Sequence, residues 1–352
     1  MNPLQLSPLT LKTLLRFRSI RRGYWSAVII LVFVGLSVFA ELFINSRALL
    51  VIHEGEWYFP TYGAIIPGEV FGLGYQYETN YRELKQKFID AGSNNSNRVI
   101  MPLIPYDPYE NDLTTGSYPP HRPALQSRHY LGTDTAGRDV VARLVYGFRI
   151  AILFSLFLLI CNYAVGVTIG CLMGYWGGVF DLLFQRLIEI WSNIPFLYVI
   201  MIIASIIVPS FWSLLLVMLM FSWMGITWYM RTATYRERER EYVMAARALG
   251  AGTARIIFRH VLPNTVSIII TFIPFSVAGG ITALTSLDFL GFGLPPPTPS
   301  WGELLRQGIE NLHSPWIVSS VVAAMVLILT MVTFIGEAVR EAYDPKKHTI
   351  YE

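Results

Sequence analysis

The sequence predicts an all-α polytopic membrane protein with six transmembrane helices, and three observations support this fold class. Of the 352 residues, 53% are hydrophobic, and the mean hydropathy is +0.46. Only 14% are charged, against about 25% in soluble globular proteins. Six apolar runs approach the roughly 20 residues that a helix needs to cross a bilayer, and in lipid each run must be helical because no water satisfies open backbone groups. The runs cover approximately residues 24–44, 148–173, 182–208, 211–231, 264–287 and 316–338.

The chain opens with a basic tail, residues 1–23, in front of the first apolar run. Five Lys or Arg residues in this tail are typical of a secretory signal. The run that follows is long enough to span a bilayer, however, and no small-residue cleavage site comes after it. We therefore interpret residues 24–44 as an uncleaved first transmembrane helix.

A long polar segment, residues 45–130, separates the first two spans. It is rich in Tyr, Pro, Gly and Asn, and a short helix is predicted from Tyr81 to Ala91. Because a structureless loop of this length is improbable, we predict an extracytoplasmic insertion that packs on the outer mouth of the protein. It is either a partly ordered surface insertion or a docking site for a soluble protein.

Residues 131–149, which lead into the second span, combine glycine, aspartate and arginine at short spacing. The glycines permit tight turns, the aspartates can accept backbone hydrogen bonds or cap the next helix, and the arginine stems can extend along the membrane entrance. A capped, charged helix start explains the pattern better than an active site, because no nucleophile or set of metal ligands accompanies the aspartates. The residues concerned are Gly132, Asp134, Gly137, Arg138, Asp139, Arg143, Tyr146, Gly147 and Arg149.

The third apolar run contains charged residues. Asp181 at its start is a predicted N-cap, and Arg186 and Glu189 lie three residues apart on one helix face. Charged groups inside a span are functional candidates by default, but we favour a structural ion pair near the cytoplasmic end. Pro195 is predicted to kink this helix.

Basic residues predict the orientation, because cytoplasmic loops carry an excess of Lys and Arg. Seven of them lie from Arg231 to Arg259, around the loop 232–263, and three more lie in the tail 339–352. Both termini and this loop are therefore predicted to be cytoplasmic, and residues 131–338 form the predicted core domain.

The 232–263 loop is predicted to form two helices. Residues 236–249 are strong helix formers, and Gly250 suits the position just after a helix end. Thr253 can cap a second short helix that ends before Pro263. The small residues of the first helix can seat in a groove of a soluble protein; alternatively, the two helices lie on anionic lipid as an amphipathic hairpin. These small residues are Ala245, Ala246 and Ala248.

The fifth span places hydroxyl and small side chains on one face at helical spacing. This face either lines a hydrated path or packs against another helix, as small residues do in membranes. The proline-rich segment 295–303 that follows is not expected to form regular helix or strand. The candidate path residues are Thr271, Phe275, Thr282, Thr285 and Ser286.

The absence of several motifs excludes or disfavours other functions. No GxxxxGK[ST] is present, so ATP is not bound through a P-loop, and no GxSxG or HExxH supports a membrane-bound hydrolase. The six histidines show no metal-site spacing, and a net charge of +3 is too small to indicate nucleic acid. An ion-gradient-driven secondary transporter is the remaining alternative, but it requires intramembrane carboxylates, and Glu189 is the one clear example in the sequence.

Residues 131–149 resemble the LGTDxxGRDxxxRxxYGxR signature of the second permease subunit in the oligopeptide/dipeptide class of ABC importers. The segments 57–60 and 287–295 resemble the branch of this class that imports microcin C and related peptides. The resemblance covers nearly the whole chain.

The 232–263 loop resembles the EAA motif through which such permeases meet their ATPase. In register with that motif are Ala245, Ala246, Gly250, Leu262 and Pro263. Met244 occupies the position of the motif's Glu and His260 that of its Ile, while Glu241 offers a nearby carboxylate.

The resemblance implies the type I permease fold of ABC importers and a location in the bacterial inner membrane. The implied partners are a homologous permease, ATP-binding subunits, an extracytoplasmic substrate-binding protein and a peptide substrate. ATP and magnesium would be bound by the partner subunits, and this chain would hold no cofactor or metal and catalyse no reaction. The implied mechanism is alternating access, in which the 236–263 loop carries the motion of the ATPases to the spans.

Overall fold

A computed structural model describes residues 8–92, 97–113 and 117–343. Within these residues the chain is mostly helical and carries one small antiparallel sheet. The helices are α1 (Pro8–Ser19), α2 (Arg21–Val38), α3 (Tyr81–Asp90), α4 (Val140–Trp176), α5 (Gly178–Ser192), α6 (Phe196–Ile206), α7 (Phe211–Arg238), α8 (Glu241–Ala248), α9 (Thr253–Ile256), α10 (Leu262–Leu290), α11 (Trp301–Glu310) and α12 (Pro315–Tyr343). The strands are β1 (Leu50–His53), β2 (Glu56–Tyr58) and β3 (Arg98–Ile100).

The part of the chain that the structure describes contains five helices long and apolar enough to cross a membrane: α2, α4, α7, α12 and the continuous helix Thr253–Leu290. The helices α5 and α6 form a sixth span if they are counted together; the angle between them is 68° at a short break. The predicted all-α fold is confirmed, as is the kink at Pro195, which is the N-cap of α6. Proline interrupts the helix here because it has no N–H and its ring clashes with the preceding turn.

One compact unit, the membrane unit, contains the described residues up to 31, residues 151–295 and the described residues from 326 onward. In it α4 and α7 approach closely along a stripe of glycines spaced four apart. A Cβ at Gly166, Gly170 or Gly174 would lie 2.4 to 2.5 Å from the nearest atom of α7. Small residues at this spacing allow membrane helices to pack backbone against backbone, so α4 and α7 form a tight pair.

The other compact unit, the entrance unit, contains the described residues of 32–150 together with 296–325. Its sheet has the order β2–β1–β3, and both outer strands are antiparallel to β1, where Val51 faces Tyr58 and Val99. The sheet and α3 enclose an apolar core of Ala48, Val51, Phe71, Leu73, Tyr81, Leu84 and Val99. The insertion is therefore folded, although its strands of three or four residues are too short to produce a recognisable sequence pattern.

The predicted helix in the insertion is confirmed, since α3 runs from Tyr81 to Asp90 with Asn80 as its N-cap. The prediction that 295–303 contains no helix is wrong for its last three residues. Ser300 caps α11 by accepting hydrogen bonds from the N–H groups of Gly302 and Glu303, so the helix begins at Trp301, two residues after the last proline of the segment.

Candidate functional site

The loop between α7 and α10 is organised around the short helix α8. The prediction of one helix over 236–249 is wrong, because the chain turns at Glu239 and Arg240, where Arg240 has an extended backbone (φ −78°, ψ 144°). α8 then runs from Glu241 to Ala248. The turn separates α8 from the long helix α7 and allows it to fold back as an independent element.

The predicted helix end at Gly250 is confirmed. Its φ of +78° is left-handed, a conformation that glycine adopts without steric cost. The N–H of Gly250 donates to the carbonyl of Arg247 at 2.9 Å, and that of Ala251 donates to Ala246 at 3.0 Å. This is a Schellman closure, which satisfies the last carbonyls of the helix and fixes the direction in which the chain leaves α8.

The inner face of α8 is buried. Val243 is fully buried and Ala246 is 9% exposed, and both belong to a core with residues of α4, α7 and the segment 256–261: Val167, Cys171, Tyr175, Ile226, Met230, Ile256, Ile257 and Val261. Burial of a valine side chain contributes about 1.5–3 kcal/mol. The prediction that Ala246 seats in a partner's groove is therefore wrong, because this side chain is used for packing inside the chain.

The outer face of α8 is exposed and largely apolar. We call this surface the α8 tip; it consists of Tyr242, Met244, Ala245, Ala248 and Leu249. Leu249 is 88% exposed and Met244 is 49% exposed. Sequence reasoning gave no role to Leu249, although a leucine directly before a helix-ending glycine is the signal that could have identified it.

Three further residues of the predicted coupling set lie in the next helix rather than in the α8 tip. His260 and Leu262 are half-buried, and Pro263 is exposed. The prediction that a second short helix ends before Pro263 is wrong, because the helix continues from Thr253 to Leu290 through a π-turn at Ile257–Val261. The wider π-turn accommodates Pro263, whose ring would clash with a carbonyl in the preceding turn of a regular α-helix.

A polar network joins α5 to α7. Asp181 receives hydrogen bonds from Arg231 Nε at 2.5 Å and Nη2 at 2.7 Å, from the Tyr235 hydroxyl at 2.8 Å and from Gln185 at 2.8 Å. The prediction of Asp181 as N-cap is wrong, since Gly177 is the N-cap of α5. A bidentate Arg–carboxylate pair fixes both partners in orientation, so it holds α5 and α7 together.

The predicted contact between Arg186 and Glu189 is present at 2.5 Å. Their side chains are 72% and 48% exposed, so the pair lies on the outer surface of α5. It contributes little to the stability of the chain for this reason.

The candidate path residues of the fifth span do not share one environment. Thr271 and Phe275 line a cavity of about 680 Å³ together with Tyr229 and Arg340. Thr282 and Ser286 are exposed on the surface of α10, whereas Thr285 is buried. The prediction is wrong for Thr285, because its side chain points into the chain rather than toward the exposed face.

Three of the signature residues 131–149 form a buried ionic cluster in the entrance unit together with Glu303 of α11. We call it the entrance cluster; it consists of Asp134, Arg138, Arg143 and Glu303. Asp134 accepts hydrogen bonds from the backbone N–H of Arg138 at 3.0 Å and from its Nε at 2.8 Å. Arg143 is fully buried and contacts Glu303, to which Arg138 also donates at 2.9 Å. The predicted capped helix start is present, since the Asp139 carboxylate accepts the N–H of Ala142 at 2.8 Å.

A second buried charge group adjoins the cluster. The imidazole of His129 lies between Asp139, at 2.8 Å, and Asp112, at 3.2 Å, and it stacks on the ring of Tyr106 with a centroid distance of 3.9 Å. Burial by itself would lower the pKa of His129, but the hydrogen bonds that its ring N–H groups donate to the two carboxylates outweigh this effect and raise the pKa to about 9. His129 is therefore a cation that neutralises buried carboxylates, a role that its sequence position did not reveal.

The last three signature residues fasten α4 to neighbouring elements. The Tyr146 hydroxyl donates to the carbonyl of Ile44 at 3.0 Å, and Arg149 contacts Glu41 at 2.8 Å. A Cβ at Gly147 would lie 2.9 Å from the Trp301 ring, so only glycine allows α11 this close. None of these contacts forms a catalytic constellation, and among the described residues no group of three His, Cys, Asp or Glu could hold a metal ion.

A family model and individual relatives both identify the chain as an inner membrane transport component. Residues 166–349 match the family described as binding-protein-dependent transport system inner membrane component. The peptidoglycan transport system permease protein YejE of Agrobacterium fabrum is 43% identical, covering 97% of this chain and 94% of that protein. The inner membrane ABC transporter permease protein YejE of Escherichia coli is 42% identical, covering 97% of this chain and 99% of that protein.

A more distant relative is the dipeptide transport system permease protein DppC of Haemophilus influenzae, which is 32% identical over 70% of this chain and 85% of that protein. The resemblance inferred from the 131–149 signature is thereby confirmed. The chain belongs to the family of inner membrane components of binding-protein-dependent transport systems and is a YejE-type ABC transporter permease.

Proposed function

We propose that this permease moves peptides across the inner membrane and that the α8 tip is the surface on which its ATPase acts. The family assignment gives an ABC importer permease that is not itself an enzyme. The names of its relatives, peptidoglycan and dipeptide transport permeases, support a peptide substrate. One observation supports the coupling role above all: α8 is buried on one face in its own chain and presents exposed apolar side chains on the other.

An exposed apolar surface of this kind fits a partner that covers it. A leucine that is 88% exposed gains little from the fold of its own chain, but full burial of its side chain at an interface contributes about 1.5–3 kcal/mol. Exposed apolar residues grouped together indicate such an interface. Lipid is the alternative cover, and the co-purification experiment below distinguishes the two.

Motion at the α8 tip has a continuous packed route into the spans. Val243 and Ala246 pack against Ile256, Ile257 and Val261, which lie in the first turns of the continuous helix Thr253–Leu290. The same helix carries Thr271 and Phe275, which line the 680 Å³ cavity. Packed cores transmit displacement because they cannot be compressed continuously, so the ATPase would move the cavity wall by moving α8.

The complete transporter would contain a second, homologous permease, ATP-binding subunits that hold ATP and magnesium, and an extracytoplasmic binding protein. The membership of a binding-protein-dependent system supports the last two partners. The exposed small residues Gly279, Thr282 and Ser286 on α10 support contact with another membrane helix, because small side chains permit close helix approach in lipid.

The experiment compares Leu249→Asp with the control Leu312→Asp, which changes a leucine that is 73% exposed in the entrance unit. A buried charge at an apolar interface costs several kcal/mol, so Leu249→Asp should lower recovery of the ATPase with the permease by about tenfold or more. Peptide uptake in proteoliposomes, driven by ATP with the proton gradient collapsed, should fall in parallel. Leu312→Asp should retain the ATPase. Normal co-purification and uptake with Leu249→Asp would refute the coupling role.

A further inference from the structure

The small sheet of the entrance unit has a second face that does not point into the apolar core. Side chains alternate between the two faces along a strand, and Val51 and Val99 point into the core that the sheet shares with α3. Ile52 and the residues opposite it, Trp57 and Arg98, therefore point to the other face. We call this surface the outer sheet face; it consists of Leu50, Ile52, Trp57, Arg98 and Ile100.

The outer sheet face is apolar apart from one arginine, and much of it is accessible. Trp57 is 65% exposed and Ile100 is 49% exposed, while Leu50 and Ile52 of the central strand are half-buried. Arg98 is exposed and forms no ion pair with the described residues. Single exposed apolar side chains are ordinary, but a group of them that includes an aromatic ring indicates a surface covered by a partner or by lipid.

Exposed apolar residues connect this face to the end of the first span. The chain continues from β3 to Ile104, whose N–H donates to the carbonyl of Phe43 at 3.0 Å. Ile104 forms a parallel bridge with Ile44, and both side chains are buried. The residues before them, Leu103 and Phe43, point the other way and are 65% and 44% exposed. Ile100, Leu103 and Phe43 are therefore successive exposed apolar side chains between the sheet and the span.

The length of the first span places Phe43 at the edge of the lipid. A hydrocarbon core of about 30 Å requires about 20 helical residues. Counted from Tyr24, which follows the basic residues at the start of α2, this length ends near Phe43. Leu103, which lies beside Phe43, is thus at the boundary between the hydrocarbon and the lipid headgroups. Trp side chains are enriched in the headgroup region, and the planar guanidinium of Arg suits lipid phosphates.

We propose that the outer sheet face lies on the outer leaflet of the membrane, with Leu103 at the edge of the hydrocarbon and Trp57 among the lipid headgroups. The composition of the face suits this position, because apolar side chains, a Trp ring and an unpaired Arg match the layers of the lipid interface in turn. Its continuity with Phe43, at the end of a lipid-exposed span, favours lipid over a protein partner. The contact anchors the insertion beside the first span and is independent of the coupling role of the α8 tip.

Spin-label relaxation in the full transporter, reconstituted in lipid nanodiscs, tests this contact. A nitroxide is attached to Trp57→Cys, Ile100→Cys or Leu103→Cys in a protein whose two native cysteines are replaced by alanine. The matched control is Ile89→Cys, because Ile89 is 60% exposed on α3, which packs on the opposite face of the sheet. Oxygen concentrates in lipid and a nickel chelate stays in water, so the ratio of the relaxation rates that they cause measures the depth of each label.

The ratio of oxygen to nickel relaxation should be highest at position 103, lower at positions 100 and 57, and lowest at position 89. Relaxation by the nickel chelate should be largely lost at position 103, and addition of the binding protein should change none of these values. Position 57, which is exposed and tolerates substitution, decides the test if Leu103→Cys fails to assemble.

Three results would overturn the proposal. Nickel relaxation at positions 57 and 103 as strong as at position 89 would show that the face is in water. Protection of these positions from both reagents would show that protein, such as a second permease, covers the face. Protection at position 57 that appears only with the binding protein would assign the face to that partner.

Discussion

The entrance cluster and the α8 tip are both in segments with family signatures, yet they use opposite chemistry. The cluster buries four charged side chains, Asp134, Arg138, Arg143 and Glu303, all nearly inaccessible. The tip exposes apolar side chains, among them Leu249 and Met244. Charged residues suggest a reactive or binding site, and apolar ones suggest packing. Here the buried charges pair with one another inside the entrance unit, whereas we propose that a partner covers the exposed apolar residues.

The physical reason lies in desolvation. A buried charge is tolerated only when its partners compensate the free-energy cost of desolvating it. Removal of any member of the cluster therefore leaves a buried charge without compensation. An exposed leucine is unfavourable only in the free subunit, and its burial by a partner is gained on assembly. Variants of the entrance cluster should therefore lower stability, whereas variants of the α8 tip should lower coupling at unchanged stability.

The largest expected effect is in the entrance cluster. Glu303→Gln removes the carboxylate shared by Arg143 and Arg138, and loss of one partner of a buried ion pair costs about 3–5 kcal/mol. The free energy of unfolding of the purified permease in detergent measures this change. The matched control is Glu310→Gln, at an exposed position on the same helix α11, which should change stability by less than about 0.5 kcal/mol. Equal effects of the two variants on the free energy of unfolding would contradict the conclusion that the entrance cluster stabilises the fold.

A smaller effect, and one that depends on pH, is expected at His129. Its folded-state pKa of about 9 lies above the ordinary value of 6.5, so the protonated imidazole contributes about 3 kcal/mol. Because the folded pKa is raised, this contribution is complete below pH 6.5 and is lost as the pH rises through 9. Between pH 6 and pH 10 the free energy of unfolding of the wild type should fall, and this decrease should be absent in His129→Gln. If the free energy of unfolding changed with pH to the same extent in both proteins, His129 would not be the cause of the pH dependence.

The smallest effect is expected at the exposed pair on α5. The double-mutant cycle of Arg186→Ala and Glu189→Ala should be non-additive, because the two side chains contact each other at 2.5 Å. Its coupling energy should be below about 1 kcal/mol, as is usual for exposed ion pairs. The corresponding cycle of Arg143→Ala and Glu303→Ala should give a value at least twice as large. A reversed order would mean that exposure in the isolated chain does not describe the environment of α5 in the membrane.

Local features of this fold could be predicted from the sequence. The six apolar runs correspond to the spans, Pro195 marks the bend between α5 and α6, and Gly250 ends α8. Each depends on nearby residues: on length and hydropathy, on a missing N–H, or on a left-handed backbone that glycine permits.

Features that depend on contacts between distant segments could not be predicted. Glu303 completes the entrance cluster from a position 160 residues after Arg143, and nothing in the proline-rich segment 295–303 marks it as the partner. Ala246 is buried although it fits the family motif, because the direction of α8 is set by packing on α4 and α7. The π-turn before Pro263 was missed for a different reason: proline is normally taken to end a helix, and only the wider turn allows the helix to continue.

The central claim is that the α8 tip contacts the ATPase, and photo-cross-linking in native membranes tests it most directly. Benzoylphenylalanine is introduced at Leu249 in one variant and at Leu312, the exposed control, in another. The account predicts an adduct between the permease and the ATP-binding subunit from position 249 and none from position 312. A position-249 variant that is inserted and assembled normally but yields adducts only with lipid would contradict it.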